Sequence, residues 1–212
     1  MSSQPTPNDQ PPAVANNVSM PDVAQQRRAG LYQLLGALLR EPPSEQVIDY
    51  VRQLEGESDD RGSELGTAFS TISLAARHSD RTALRHEYHA LFIGLGRGEL
   101  VPYGSWYQTG FLMEKPLGQL REDLARLGFE RAEDVHEPED HIAALCEVMA
   151  YLISDGSPTD VQRHFFDSHL GNWAPAFFAD LVNAQAAVFY KSVARLGSAF
   201  IALERRYLSL ND

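Results

Sequence analysis

Apolar residues recur at spacings of three and four positions from residue 31 almost to the C-terminus, which is the pattern of helices with one buried face. The first run contains Leu31, Leu34, Leu35, Leu38 and Leu39. The later runs are Val47, Val51 and Leu54; Leu84, Tyr88, Leu91, Phe92 and Leu95; Leu117, Leu120, Leu124 and Leu127; Ile142, Leu145, Cys146, Met149, Leu152 and Ile153; Val161, Phe165 and Phe166; Phe177, Leu181, Ala184 and Val188; and Val193, Leu196, Phe200, Leu203 and Tyr207. β-branched runs with the alternation typical of strands do not occur. The pattern predicts an all-α fold, a single compact helical domain of about eight to ten helices.

Residues with known preferences for helix ends mark several boundaries. Ser44 is a predicted N-cap, and Gly128 a predicted C-cap. Ser157 and Pro158 have the order typical of an N-cap followed by the first helical residue. Pro138 is predicted to occupy the first position of the helix that carries Ile142 to Ile153, which would place the carboxylates of residues 139 and 140 in its first turn.

The N-terminal segment differs in composition from the rest of the chain. Residues 1–20 are rich in proline and small polar residues and cannot bury enough apolar surface to fold, so they are predicted to be a disordered arm before a helical domain at 21–210. Arg27 and Arg28 then precede an apolar run, as in a twin-arginine export leader. The apolar positions have helical spacing, however, and Arg40 to Pro43 follow them instead of a small-residue cleavage site, so this run is predicted to be the first helix of the domain.

A glycine-rich and aromatic loop at residues 94–104 interrupts the helical pattern. It is predicted to act as a hinge between an N-terminal and a C-terminal group of helices. Closely spaced glycines can also bind phosphate through backbone amides, but no preceding strand and no following Lys-Ser/Thr pair accompany them here. A turn between helices is therefore the favoured interpretation.

Charge and cysteine content restrict the function further. The chain has 212 residues, with 18 Lys and Arg against 29 Asp and Glu, for a net charge of −11. Such a surface repels phosphate backbones and argues against a nucleic-acid partner. The single cysteine, Cys146, excludes an intrachain disulfide and is consistent with a cytoplasmic location. Apolar stretches are too short to cross a bilayer, so no stable membrane insertion is expected.

Candidate catalytic groups are few. Cys146 lies on an apolar helix face, where thiols are usually inert, and no Gly-x-Ser-x-Gly nucleophile elbow occurs. A metal-assisted hydrolase that uses His136, Asp140 and His141 is the alternative function, because histidines among carboxylates can bind metal ions. No helix places these two imidazoles on one face, so a structural or peptide-contacting role is favoured and no catalytic or metal site is predicted.

Three passages in order resemble the TorD/DmsD family of redox-enzyme maturation chaperones. They are Tyr88 to Phe92 leading to Val101–Ser105, then Glu137-Pro138-Glu139-Asp140-His141-Ile142, then Phe165 to Trp173. The resemblance extends over about residues 25–208. It implies an all-helical chaperone, not an enzyme, that binds the twin-arginine leader of a molybdenum-cofactor oxidoreductase precursor and supports cofactor insertion before export. Residues 91–100 and 110–117 are similar to members associated with formate dehydrogenase maturation, with reductases of dimethyl sulfoxide, trimethylamine N-oxide or nitrate as the alternative clients.

The resemblance also implies a leader-binding surface. Together with the acidic and aromatic residues beside it, the predicted set is Tyr88, Leu91, Phe92, Pro102, Tyr103, Trp106, Glu137, Pro138, Asp140 and His141. Relatives also imply weak guanine-nucleotide binding, no other cofactor, and a monomer or a helix-swapped homodimer.

Simple chemistry supports this surface. The acidic cluster at 133–140 could pair with the two leader arginines, while an aromatic groove of Tyr88, Phe92, Tyr103 and Trp106 takes the apolar part of the leader. Charge reversal at Asp140, or Tyr103→Ala, is therefore expected to weaken leader binding without unfolding the protein. A solvated helix start is the alternative for Glu133 and Glu139.

Overall fold

The computed structural model describes residues 23–54, 62–94, 97–131 and 137–210, so the predicted arm at 1–20 lies outside the described residues. The described chain contains ten α-helices and no strand, which confirms the all-α prediction. They are α1 (Val23–Arg40), α2 (Glu45–Gln53), α3 (Glu64–Arg77), α4 (Arg81–Tyr88), α5 (Gly104–Thr109), α6 (Lys115–Arg126), α7 (Ile142–Ser154), α8 (Thr159–Phe165), α9 (Ala174–Asn183) and α10 (Tyr190–Leu210). Short π-helical turns extend α4 over His89–Ile93 and α8 over Phe166–Leu170.

Helix ends follow the local signals in part. The Ser44 side chain accepts a hydrogen bond from the amide of Val47 and caps α2, as predicted. Gly128 follows α6 with a φ of +81°, the left-handed conformation that favours glycine. The predicted start of α7 at Pro138 is wrong, because His141 is the N-cap and the helix begins at Ile142. Similarly, α8 begins at Thr159, with Pro158 in the capping position.

Helices from the two sides of the 94–104 loop pack against each other. The longest contact joins α1 to α7, and α10 packs against both α9 and α3. The two predicted helical groups are therefore not separate bodies. Within the described part of the loop, the amide of Leu100 donates to the carbonyl of Leu91 at 2.8 Å, and the amide of Glu99 donates to Ala90 at 3.2 Å. The hinge and the helix-swapped dimer stay predictions.

A buried ion pair connects α1 to α10. Arg28 donates from Nε to Glu204 Oε1 at 2.7 Å and from Nη2 to Oε2 at 2.8 Å, in a bidentate arrangement. Its Nη1 donates to Gln162 on α8 at 3.0 Å. Arg28 is thus an internal anchor of the first helix, which agrees with the prediction that α1 belongs to the folded domain.

The connection between α9 and α10 departs from the helical pattern. Val188 was predicted to continue the stripe of Phe177 and Leu181, but α9 ends at Asn183 and the Val188 side chain is 79% exposed. Two carboxylates hold this connection instead. Glu87 on α4 accepts the amides of Val188, Phe189 and Tyr190, at 2.7, 3.1 and 2.7 Å. Glu99 accepts two amides farther upstream, those of residues 185 and 186.

We expect Glu87→Ala to lower the free energy of unfolding by about 2 kcal/mol, because three backbone amides lose a charged acceptor and two of them are partly buried. Urea denaturation followed by circular dichroism measures the change. Glu64→Ala is the matched control, since this glutamate is an exposed residue at the start of α3. Equal stability of the two variants would contradict the anchoring role of Glu87.

Among the described residues, no helix has the length and apolar content needed to span a bilayer.

Candidate functional site

The N-termini of α5 and α7 meet in one junction. Tyr103 and His141 form an isolated antiparallel bridge. In it, the amide of Gly104 donates to the carbonyl of Asp140, and the amide of Ile142 donates to the carbonyl of Pro102, both at 2.9 Å. The tertiary structure therefore brings together the two passages, about 35 residues apart, that the sequence marked as candidate binding residues.

Asp140 is a buried structural group of this junction. Its side chain is 3% exposed, and Oδ2 accepts the amide of Ser105 at 2.7 Å, at the start of α5. Its other oxygen, Oδ1, and the hydroxyl of Ser105 are buried without a hydrogen-bond partner in the described chain. The expectation that Asp140 can be reversed in charge without unfolding is therefore wrong: a lysine here would lose the cap and bury a cation.

His141 is also buried, with 3% exposure. Its Nδ1 accepts the amide of Ala143 at 3.2 Å and so caps α7, which leaves the proton of a neutral ring on Nε2. Burial lowers the pKa of His141 and outweighs the nearby carboxylate of Glu137, which acts in the opposite direction. The imidazole is consequently neutral at neutral pH and packs edge-on to the Tyr103 ring, with centroids 5.1 Å apart.

Tyr103 and Glu137 extend the junction to the surface. The Tyr103 hydroxyl donates to Glu137 Oε1 at 2.9 Å. Burial, with the hydrogen bond to Glu137, raises the pKa of Tyr103, so the phenol remains protonated. The second oxygen of Glu137 lies 3.9 Å from Nη1 of Arg40, at the end of α1. Both Tyr103 and Glu137 are partly exposed and available to a ligand.

An open groove of about 620 Å³ lies beside this junction, between α6 and α7. We call it the acidic groove. Its carboxylates are Glu130, Glu137, Glu139 and Glu147, and its arginines are Arg40, Arg121 and Arg131. Its apolar wall consists of Leu124, Phe129, Pro138, Ala144, Val148 and Tyr151. The surface therefore combines anionic groups with an apolar strip.

The chain's own arginines occupy several carboxylates of the acidic groove. Arg40 binds Glu147 through two hydrogen bonds, from Nε to Oε1 at 2.6 Å and from Nη2 to Oε2 at 2.5 Å. Arg121 donates to Glu139 from Nε at 3.0 Å and from Nη2 at 2.9 Å, and Arg131 lies 3.5 Å from the same carboxylate. Although burial alone would raise it, the Arg121 hydrogen bonds hold the pKa of Glu139 below its usual value. In these pairs the carboxylates of the groove hold guanidinium groups of the chain itself.

Two of the predicted binding residues, Tyr88 and Leu91, belong to the interior, and the partly buried Phe92 packs against it. Tyr88 is 4% exposed, and its hydroxyl donates to the carbonyl of Arg40 at 2.6 Å. Leu91 is fully buried, and the Phe92 ring packs between Tyr88 and Tyr190, with centroids 5.0 and 5.5 Å away. Of the four residues of the predicted aromatic groove, Tyr88 is therefore core, whereas Phe92, Tyr103 and Trp106 are partly exposed.

The other predicted residues divide between the junction and the groove. Pro102 is buried in the junction, and the Trp106 ring lies under the guanidinium of Arg97, 4.4 Å from its centroid. Of the ten predicted residues, Glu137 and Pro138 line the acidic groove. Leader binding by this set is not tested by the geometry and stays a prediction.

Sequence reasoning missed the outer face of α7. Glu147 and Tyr151 are four positions apart, as are Ala144 and Val148, so all four share a helix face opposite the buried stripe. The same spacing is present in the sequence, but the apolar stripe on the opposite face of the helix gives the stronger pattern. A second missed feature is the buried pair of His169 and Asp123, joined at 2.6 Å between Nε2 and Oδ2.

No group of three or more potential metal ligands occurs in the part of the chain that the structure describes. Of the residues in the alternative hydrolase, Asp140 and His141 are buried, and each caps a helix by accepting a backbone amide, at Oδ2 and Nδ1 respectively. His136 and Glu133 lie outside the described residues. Cys146 is fully buried, and burial raises the pKa of its thiol, as expected for an inert cysteine.

Comparison with known proteins identifies the family. The family model described as nitrate reductase delta subunit matches residues 58–179, more than half of the chain. The chain belongs to the nitrate reductase delta subunit family. The match includes both halves of the junction and most of the acidic groove.

Relatives of this family member are named chaperones. Chaperone protein TorD of Vibrio atlanticus strain LGP32 is 26% identical over 205 residues, which cover 87% of this chain and 95% of the relative. TorD of Vibrio cholerae serotype O1 strain O395 is 28% identical over 206 residues, covering 88% and 94%. These relatives confirm the predicted resemblance and the prediction of a chaperone over an enzyme.

A solved structure has the same fold. It is described as a redox enzyme maturation protein from Archaeoglobus fulgidus, and it superposes with a TM-score of 0.52 at 19% sequence identity. The superposition covers 88% of this chain and 99% of that chain. At this identity the likeness concerns the fold alone, and it supports the all-α architecture. The weak guanine-nucleotide binding expected from the resemblance stays a prediction.

Proposed function

We propose that this protein is a cytoplasmic chaperone that binds the twin-arginine leader of a molybdenum-cofactor oxidoreductase precursor. It holds the precursor back from export while the cofactor is inserted. A formate dehydrogenase is the first client to test. The family match and the TorD relatives support the general role, and the acidic groove is the observation that carries the specific one.

The composition of the acidic groove suits a twin-arginine leader. Such a leader presents two guanidinium groups and then an apolar, helix-prone segment. Carboxylates bind guanidinium groups through paired hydrogen bonds, and the apolar strip with Leu124, Phe129 and Val148 offers a surface for the leader's apolar segment. The net charge of −11 accelerates the encounter with a cationic peptide.

The internal ion pairs of the groove define how a leader would bind. Glu147 is half exposed and held by Arg40, which is itself more than a third exposed. A leader arginine that displaces Arg40 from Glu147 replaces one ion pair with another of similar strength. Breaking the exposed pairs therefore costs little binding free energy. The Glu137 carboxylate lies 3.9 Å from Nη1 of Arg40, a longer separation than that between Glu147 and Arg40, so it has the greater capacity to accept a new guanidinium.

We expect the double variant Glu137→Gln/Glu147→Gln to bind a synthetic formate dehydrogenase leader about tenfold more weakly than the wild-type protein, because each amide loses a charge-assisted hydrogen bond. Fluorescence anisotropy of the labelled peptide at fixed ionic strength gives the dissociation constant. A peptide with both arginines replaced by glutamine should bind wild-type and variant equally.

Asp49→Asn/Glu64→Gln is the matched control, because it removes the same number of charges from exposed positions on α2 and α3. Long-range attraction is then equal in the two double variants, and only the groove differs. A similar loss in both would attribute binding to net charge and contradict a leader site in the acidic groove. Purification of the tagged protein from its own cells, with mass spectrometry of bound chains, identifies the client precursor.

A further inference from the structure

A second cavity lies on another part of the molecule, between the α1–α2 connection and α4. It has a volume of about 890 Å³. One wall is the segment Glu41-Pro42-Pro43-Ser44, and the other is formed by Arg81, Thr82, Arg85, His86 and His89. None of these residues lines the acidic groove, and none belongs to the predicted leader-binding set. We call this cavity the basic pocket.

The basic pocket concentrates positive charge in an acidic protein. Arg81, Arg85 and His89 are four positions apart, so they project from one face of α4 and its π-helical extension. His86 lines the pocket beside them. Neither Arg81 nor Arg85 forms an ion pair with a described carboxylate, whereas the arginines of the acidic groove all do. Two free guanidinium groups and two imidazoles therefore face one carboxylate, that of Glu41.

Neighbouring contacts hold the walls of the basic pocket in place. The Tyr88 hydroxyl donates to the carbonyl of Arg40 at 2.6 Å and so fixes α4 against the start of the α1–α2 connection. The carboxylate of Asp80, next to Arg81, accepts the amides of Thr82 and Ala83 at 2.8 and 3.0 Å. Asp80 is thereby engaged as the N-cap of α4 and does not line the pocket.

Two helix N-termini border the basic pocket, because Ser44 is the N-cap of α2 and Arg81 and Thr82 are the first residues of α4. An acidic side chain offsets the dipole of each N-terminus, Glu45 in the first turn of α2 and Asp80 at the N-cap of α4. The positive charge of the pocket therefore comes from its own side chains. The hydroxyls of Ser44 and Thr82 are additional hydrogen-bond donors within the same cavity.

We propose that the basic pocket binds a small molecule carrying phosphate groups. Guanidinium groups match phosphate geometry through paired hydrogen bonds, and imidazoles and hydroxyls complete such sites. A compact ligand contacts only the pocket, whereas a nucleic-acid chain would also meet the repulsion of a surface with a net charge of −11. The inference is independent of the leader-binding proposal, because the two sites share no lining residue.

Isothermal titration calorimetry of the full chain with sodium tripolyphosphate tests the proposal, with inorganic phosphate and a nucleoside triphosphate as parallel probes. We expect the wild-type protein to bind tripolyphosphate and Arg81→Gln/Arg85→Gln to bind it at least tenfold more weakly. Glu41→Gln should bind severalfold more tightly, because it removes the one carboxylate that faces the anion. If the nucleotide binds more tightly than tripolyphosphate, the ligand is a nucleotide. If the two bind equally, the ligand is a free polyphosphate. Both results support a phosphate site.

Controls separate the basic pocket from general electrostatics. Arg195→Gln/Arg206→Gln removes two exposed arginines of α10 and gives the same change in net charge as the pocket variant. Absence of tripolyphosphate binding to the wild-type protein would overturn the proposal, and so would an equal loss in the two double variants. Binding of a glutamate-rich peptide in place of all three phosphate probes would also overturn it. Leader titration with the pocket variant should be unchanged, which keeps this test separate from that of the acidic groove.

Discussion

Glu204→Ala is expected to lower the free energy of unfolding by about 3–5 kcal/mol, because it leaves the Arg28 guanidinium buried without its counter-charge. Both hydrogen bonds of the bidentate pair are lost, and the remaining partners of Arg28 are the neutral amides of Gln25 and Gln162 and the ring of Tyr207. Burial alone would lower the pKa of Arg28, but the hydrogen bonds and charge of Glu204 raise it above its usual value. Guanidinium chloride denaturation measures the loss.

Two variants test whether the loss of stability in Glu204→Ala comes from the buried, unpaired charge of Arg28. Arg28→Met/Glu204→Leu should recover at least half of the loss, because an apolar pair of similar volume needs no counter-charge. Asp49→Ala breaks an exposed pair with Arg52 and should change stability little. A loss from Glu204→Ala no greater than that from Asp49→Ala would mean that the pair contributes only what a surface pair does.

Gly197→Ala is expected to destabilise the protein by about 2 kcal/mol, although alanine is the better helix former. Gly197 lies within α10, and a Cβ atom there would overlap three ring carbons of Phe178 on α9. The Phe178 ring is fully buried, so it cannot rotate into solvent to make room. Thermal and chemical denaturation both report the change, and overpacking outweighs a propensity gain of up to about 1 kcal/mol.

Gly118→Ala is the matched control for this prediction. Gly118 is an exposed residue of α6, and a Cβ atom there would have no neighbour within 4 Å. Only the helix propensity changes, so this variant should be more stable by about 0.5–1 kcal/mol. If Gly197→Ala and Gly118→Ala were both stabilising, the prediction would be contradicted, because the contact of Gly197 with Phe178 would then not limit the packing of α10 against α9.

The local features of the fold were predictable because they depend on neighbours in sequence. Helical spacing of apolar residues located most of the helices, and Ser44 and Gly128 marked the ends predicted for them. The pattern went wrong at Val188, where the spacing continues but α9 has already ended. The amides of that connection bind two distant carboxylates, those of Glu87, 101 residues before Val188, and Glu99, 86 residues before Gln185.

The candidate site was predictable only in part. The passages with Tyr103 and Asp140 were correctly associated, because the family resemblance placed them on one surface. Two side chains predicted for the binding surface are instead buried, because Asp140 and His141 cap helices in the interior. A carboxylate that accepts a backbone amide from a distant segment has the same sequence signature as one that faces water, so burial could not be inferred.

The sequence by itself determined that this protein is all-helical, acidic and a relative of the TorD chaperones, because periodicity, composition and motifs are properties of the chain. Only the tertiary structure decided which charges are exposed. Arg28 and Arg81 look alike in sequence. Arg28, however, forms a buried ion pair with Glu204 on α10, whereas Arg81 faces an open cavity and forms no ion pair with a described carboxylate. The physical reason is that the energy of a charge depends on the solvent and counter-charges around it, and those are set by contacts between distant segments.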